Sequence, residues 1–385
     1  MENPLLARAE DSIATSLGRA APELAIVVPT FNESGNVREL VQRLAVALRD
    51  VEWEVVFVDD DSPDATAALV RSLAQEDPRV RCIQRIDRRG LSTACIEGML
   101  ATSAPFVAVI DADMQHDERL LPKMLQILKT EQLDIVVGSR YVSGGGVGDW
   151  QKSRATISRI ATRIGHLVVP ATLSDPMSGF FMLARGTLDA VVRNLSGLGF
   201  KILMDIFASA PRPLRFKELA YEFRARHAGE SKLDSQAAWD YGMLLLDKLV
   251  GRYVPVRFIS FALIGGVGMV LHLALVSVLY GRLHVGFIES QTAATLVAMT
   301  FNYALNNALT YRDRRLAGWR WLRGWLTFVA GCSIGGFANV GIAAYLFNQH
   351  YQWVLAAIAG ILVGAVWNYA ITFVYTWGKP SRAKV

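Results

Sequence analysis

The sequence predicts an α/β domain followed by an all-α membrane domain. Three observations predict it. Short apolar runs alternate with helix-period segments from residue 23 to 235. Four apolar segments long enough to cross a bilayer follow Val254. Hydrophobic residues make up 52% of the 385 and charged residues only 19%, too apolar a balance for an ordinary soluble chain. The net charge of +5 is modest, but arginines cluster beside apolar segments, which suits anionic lipid headgroups rather than nucleic acid. Cys82, Cys95 and Cys332 have no metal-ligand spacing and imply a reducing, cytoplasmic setting.

Residues 1 to 22 are polar and mixed in charge, with no signal-peptide pattern, and read as a flexible tail. A first strand, Leu24 to Val28, ends in Pro29-Thr30-Phe31-Asn32-Glu33. A helix to about Leu48 follows, with Val37, Leu40, Val41, Leu44 and Leu48 on one face. The second strand, Trp53 to Val58, runs into Asp59-Asp60-Asp61-Ser62-Pro63-Asp64. Then come a helix from Ala65 to Gln75, a strand from Val80 to Gln84, a helix from Gly90 to about Met99 and a strand at Phe106 to Ile110. Beyond these lie a helix from Glu118 to about Lys129 and a strand from Asp134 to Val137, and Asp175-Pro176-Met177-Ser178-Gly179-Phe180-Phe181 begins a further strand. This alternation argues for a parallel sheet covered on both faces by helices.

The polar motifs fall just after strands, at the edge where open α/β sheets bind ligands. Asp111-Ala112-Asp113-Met114-Gln115 offers two carboxylates and an amide, oxygen donors suited to Mg2+ or Mn2+ and through it to a nucleotide diphosphate. The same carboxylates could instead cap a loop. The Asp59 to Asp64 cluster could be a solvated turn, but its place after the second strand favours a ribose and base site. Gly144-Gly145-Gly146-Val147-Gly148 reads as a flexible lid or a linker. Trp150 to Leu173 has Lys152, Arg154, Arg159, Arg163 and His166 among Ile157, Ile160, Ile164, Leu167 and Val168. That pattern describes a helix in a membrane interface or one packed on the soluble core. Arg154 and Ser158, four apart, share a face and suit one phosphate. Arg226 to Lys232 forms a second basic loop, and residues 236 to 253 an amphipathic linker.

The membrane segments are 258–280, 290–311, 325–347 and 353–377. Arg312, Arg314, Arg315, Arg320 and Arg323 lie in or beside one connection and Lys379, Arg382 and Lys384 in the tail. By the positive-inside rule, both termini and the α/β domain are cytoplasmic. Phe301-Asn302-Tyr303-Ala304 matches Trp367-Asn368-Tyr369-Ala370 at an offset of 66, which also pairs Arg257 with Arg323 and Gly265 with Gly331, so the domain reads as two parallel repeats. Asn302, Asn306, Asn307, Asn339 and Asn368 either join helices or line a path.

Together Val28 to Glu33, Asp59 to Asp64, Asp111-x-Asp113-x-Gln115, Gly138-Ser139-Arg140, Asp175 to Phe181 and Gly229-Glu230-Ser231-Lys232 resemble the dolichol-phosphate mannose synthases of glycosyltransferase family two. The four-helix remainder is similar to a GtrA-like membrane domain. The resemblance implies a GT-A (Rossmann-like) nucleotide-sugar domain at 23–235 and a four-helix transmembrane domain at 254–385. It implies inverting transfer, with Mg2+ or Mn2+, of mannose from GDP-mannose to a polyprenyl phosphate at the cell membrane; an oligomer is possible. It assigns donor binding to Pro29, Phe31, Glu33, Asp60, Asp111, Arg226 and Lys232, metal binding to Asp111, Asp113 and Gln115, and acceptor phosphate to Arg140, Arg154 and Ser158. Asp113, Arg140 and Arg226 are the implied catalytic group. Phe31 stands where that family usually has Tyr, and Ala65 where it usually has Gly. Rival readings are a UDP-sugar donor (glucose or an amino-pentose) and a membrane domain that translocates lipid-linked sugar. Processive polysaccharide synthases fit poorly, because Gln151-Lys152-Ser153-Arg154 is followed by Ala155 rather than Trp.

Overall fold

The computed structural model describes residues 21–146, 161–170, 172–224, 235–251, 253–350 and 352–378. It divides into two compact units, Met1–Leu249 and Val250–Val385.

The first unit is built on a seven-stranded sheet. Its strands are β1 (Leu24–Thr30), β2 (Trp53–Asp59), β3 (Val80–Gln84), β4 (Phe106–Val109), β5 (Ile135–Ser139), β6 (Phe181–Ala184) and β7 (Phe216–Ala220), in the order β3-β2-β1-β4-β6-β5-β7. β1 and β2 are buried along nearly their whole length, as strands covered on both faces must be. Helices α1 (Ser34–Ala47), α2 (Thr66–Glu76), α3 (Leu91–Leu100), α4 (Leu121–Glu131), α5 (Arg185–Val191), α6 (Ile202–Ser209) and α7 (Ser235–Val250) complete the described elements longer than one turn. One core cluster gathers α1 and α4 side chains such as Leu40, Leu44 and Leu125 with Ile26, Phe57 and Met182. The other gathers Cys95, Met99, Leu203 and Ile206 with Val27, Val56 and Leu183. Alternate residues of one strand thus enter opposite cores.

The sheet is mixed, not wholly parallel: β6 runs antiparallel to both β4 and β5. The chain leaves β5 at its carboxyl edge and returns to the sheet through 175–180 at that same edge, so β6 must run back. Helix α7 is also not a simple approach to a membrane. Its Leu244 is buried in the second cluster, the Tyr241 hydroxyl donates to the Ala161 carbonyl (2.6 Å), and Lys248 pairs with the fully buried Asp205 at 2.5 Å. The segment expected as one helix to Leu173 is helical in its described part only to Gly165. There Ala161, Val168, Val169 and Leu173 pack into the core while Leu167 is 67% exposed; residues 150–160 lie outside the described set.

The second unit has helices α8 (Val256–Leu279), α9 (Phe287–Leu305), α10 (Trp319–Asn348) and α11 (Trp353–Ile371). Among the described residues, Val256–Leu279 (mean hydropathy 2.3) and Ala359–Thr376 (1.4) are long and apolar enough to cross a membrane. Both α9 and α11 end in a π turn, Asn306–Thr310 and Thr372–Thr376, 66 residues apart. The partner helices, however, correspond at 67. Ser260 bonds Thr310 (2.6 Å) as Thr327 bonds Thr376 (3.2 Å), and Gly268 meets Asn302 as Gly335 meets Asn368. The sequence pairing of Arg257 with Arg323 and Gly265 with Gly331 is therefore one residue out of register. Asn307 ties a helix end to the following loop, accepting from Leu316 N (2.8 Å) and Trp377 Nε1 (3.1 Å). The side chain of Asn339 is outside the described set.

Candidate active site

Strands β1, β2, β4, β5 and β7 end, and β6 begins, at one edge of the sheet. The metal run follows β4 there. Asp113 and Gln115 are 6% and 8% exposed. Asp113 Oδ1 accepts from the Gln115 backbone N–H (3.2 Å), closing a tight turn. The Gln115 Nε2 donates to the Arg224 carbonyl (3.1 Å) and Arg224 N–H returns to the Gln115 carbonyl (3.0 Å). The Gln115 amide nitrogen thus faces a carbonyl. Arg224 also pairs with Asp117 (2.7 Å) and Glu118 (3.0 Å), locking the segment after β7 to the metal run. At Gly179 an added Cβ would stand 3.0 Å from Asp111 Oδ2, so the 175–180 turn packs closely on this carboxylate. The run carries two carboxylates and an amide oxygen, hard donors of the kind that Mg2+ or Mn2+ takes.

His116, which the motif reading left without a role, lies behind this run. It is 2% exposed, stacked on Phe180 (5.4 Å) and edge-on to Tyr221 and Phe223 (5.7 Å each). Its Nδ1 accepts from the Asp111 backbone N–H (3.3 Å), and burial drives its pKa down to about 4, so it is neutral near pH 7.

Two of the expected ligand groups are held by other parts of the protein. The carboxylates of the Asp59 to Asp64 cluster are engaged by protein donors. Asp59 accepts from Ser62 N–H (2.9 Å) and Thr30 (3.2 Å), Asp61 from Gln84 (2.6 Å), and Asp64 from Ser34 N–H (3.0 Å) and Thr66. Asp60, buried, accepts from Gly90 N–H (2.7 Å) and the fully buried Arg85 (2.9 Å). Burial nevertheless raises its pKa against those two stabilising partners. Four gathered carboxylates need donors to be stable, and here neighbouring elements supply most of them. Asp60 thus holds the 85–90 loop through both of its carboxylate oxygens. Ala65 adopts φ 64°, the left-handed conformation that glycine takes at less cost.

Arg140, expected at the acceptor phosphate, is held by a carboxylate. Its Nε and Nη2 each donate to Asp175 at 2.7 Å, both residues are buried, and Phe223 and Tyr141 lie 5.4 Å from the guanidinium. Burial disfavours the charge, but the Asp175 bonds outweigh it and raise the Arg140 pKa. Asp175 is itself set by Glu218, which accepts from the Ser174 (2.8 Å) and Asp175 (3.1 Å) N–H groups. The glycine stretch is not a free lid in its described part: Gly146 N–H donates to Tyr221 O (3.2 Å) and the Gly146 carbonyl accepts from Phe223 N–H (3.0 Å). Of the other expected ligands, Pro29 sits in β1 against Val58, and Glu33 accepts from Asn36 (2.7 Å). Phe31 carries Arg89 over its ring at 4.4 Å. Arg154, Ser158, Arg226 and Lys232 lie outside the described residues.

An α/β unit with a metal-suited acidic turn at the carboxyl edge, followed by a helical membrane unit, defines a membrane-bound nucleotide-sugar transferase. Residues 25–192 match Glycosyl transferase family 2 and residues 260–377 the GtrA/DPMS transmembrane domain. The chain belongs to the dolichol-phosphate mannosyltransferase family of glycosyltransferases, and it is a membrane protein. It is 30% identical to the dolichol-phosphate mannosyltransferase of Pyrococcus furiosus, over 92% of this chain and 99% of that one. The dolichol-phosphate mannosyltransferase of Saccharomyces cerevisiae is 32% identical over 62% of this chain and 91% of its own. A slighter likeness is to the glucosyl-3-phosphoglycerate synthase of Mycobacterium tuberculosis, with 19% identity and a TM-score of 0.44 over 61% of this chain and 80% of that one.

Proposed function

We propose that the protein transfers mannose from GDP-mannose to a polyprenyl monophosphate at the cytoplasmic membrane face, inverting the anomeric carbon. The observation that carries this reading is the hard-donor turn of Asp111, Asp113 and Gln115 in a chain that aligns along nearly its whole length with a dolichol-phosphate mannosyltransferase. A divalent cation held by these oxygens would neutralise charge gathering on the departing diphosphate. Arg226 and Lys232 would share that task by charge-assisted hydrogen bonds, and Pro29, Phe31 and Glu33 would seat the nucleoside.

An acceptor phosphate oxygen would form the new bond to the anomeric carbon as the bond to the diphosphate breaks, and GDP would leave with the electron pair. A phosphate monoester, with its second pKa about 6, is already ionised and needs no general base. His116, beside the acidic turn, is enclosed by aromatic rings. Arg154 and Ser158 would hold the lipid phosphate. Arg140 would brace the Asp175 turn beside it and lend its positive charge. The arginine distribution supports four spans with both termini in the cytoplasm.

The test is transfer of labelled sugar from GDP-mannose, UDP-glucose and UDP-N-acetylglucosamine to polyprenyl phosphate in detergent. Label from GDP-mannose alone should enter a mild-acid-labile lipid. EDTA or Asp113→Ala should cut the rate by on the order of a hundredfold or more. Transfer from a UDP-sugar would replace the donor, and no transfer from any donor would overturn the reading.

A further inference from the structure

The loop after β3 holds three arginines, Arg85, Arg88 and Arg89, and the structure divides them sharply. Arg85 is fully buried: it donates to Asp60, to the Gly90 carbonyl (3.1 Å) and to Thr93 (2.6 Å), and its Nε lies 3.4 Å from Glu97. Arg88 takes the same Glu97 at 2.7 Å. Gly90, at φ 140°, turns the chain into α3 while its N–H donates to Asp60. The loop is therefore stitched to the end of β2 on both sides of Arg89. Arg89 itself is exposed, and its guanidinium forms no hydrogen bond or ion pair with any described residue; it rests over the Phe31 ring at 4.4 Å.

An exposed arginine usually lets its long side chain wander. Here a rigid loop fixes its root and an aromatic face fixes its head, so a planar fork of donors is held ready beside Phe31. We propose that Arg89 reads the base of the sugar donor, its fork meeting the O6/N7 edge of a guanine placed against Phe31. Guanine offers two adjacent acceptors on that edge, which a guanidinium satisfies bidentately. Uracil separates its two carbonyl oxygens by an N–H donor and cannot receive the fork in that way. Asp60 acts one step back, as the positioning residue for the loop. The inference rests on the reading that the donor nucleoside lies beside Phe31, and it names the residue that makes that donor a guanine nucleotide.

The experiment measures GDP, UDP and pyrophosphate binding to the full chain in detergent by calorimetry, for the wild type, Arg89→Ala and Arg89→Lys. Arg89→Ala should weaken GDP roughly tenfold to a hundredfold, leave UDP and pyrophosphate unchanged, and raise KM for GDP-mannose with kcat preserved. Arg89→Lys, which keeps the charge and loses the fork, should recover only a minor part. The melting temperature should move by no more than about a degree or two, because the exposed side chain makes no hydrogen bond or ion pair with any described residue beyond its contact with Phe31. Equal weakening of GDP, UDP and pyrophosphate would make Arg89 a phosphate contact and overturn the proposal, as would GDP binding untouched by Arg89→Ala. A wild type that binds and uses a UDP-sugar but not GDP-mannose would overturn the donor reading itself, a result visible before any variant is made.

Discussion

Asp60 and Asp175 each follow a strand or precede one at the ligand edge, and each spends its carboxylate on a buried arginine. Such pairs are costly to form and costlier to break, since removing one charge strands the other in a low-dielectric interior. Asp175→Asn should therefore lower stability by about 3–5 kcal/mol, read as a fall in melting temperature in detergent. If Arg140 served the acceptor phosphate alone, that variant would change acceptor KM and leave the melting temperature in place. His116 shows a different economy: three aromatic rings keep its imidazole neutral and let one nitrogen accept from the Asp111 backbone, so the metal run is set from behind by an uncharged group.

At the scale of elements, the helical repeat is joined by close approaches of glycine and asparagine. The Asn302 and Asn368 amide oxygens are buried and accept no conventional hydrogen bond. Gly268 and Gly335 press against these amides so tightly that a Cβ on either glycine would overlap them. Small residues that let helices touch are the usual means of association where lipid gives no hydrophobic drive. Gly268→Ala and Gly335→Ala should each cost about 1–3 kcal/mol by overpacking, with matching losses of thermal stability in detergent because the sites are equivalent. Unequal losses would show that the two halves no longer share one packing. The antiparallel β6 is the corresponding device in the sheet: by reversing direction it delivers the Asp175 to Gly179 turn to the edge that holds Asp111.

For the molecule as a whole, the two units carry separate cores, one a pair of clusters flanking the sheet and the other an aromatic group of Phe261, Tyr303, Tyr311, Phe328 and Trp377. A chain ending at Leu249 should keep α7 and melt cooperatively, as followed by circular dichroism. One ending at residue 235 should be less stable by about 2 kcal/mol or more, because it loses the buried Leu244 and leaves Asp205 without Lys248. Equal stability of the two chains would place α7 outside the first unit's core.

Much of this was legible from the chain alone. Strand and helix periods, the acidic turn after an apolar run and the long apolar segments are local signals, because they depend on residues near one another in sequence. Tertiary structure alone decided matters that depend on partners far along the chain. Gln84 and Gly90 claim Asp61 and Asp60, Asp175 claims Arg140 from 35 residues away, and a strand added in reverse turns a parallel pattern into a mixed sheet. A carboxylate looks the same in sequence whether it awaits a ligand or is already bonded; only the donors that folding brings to it decide which.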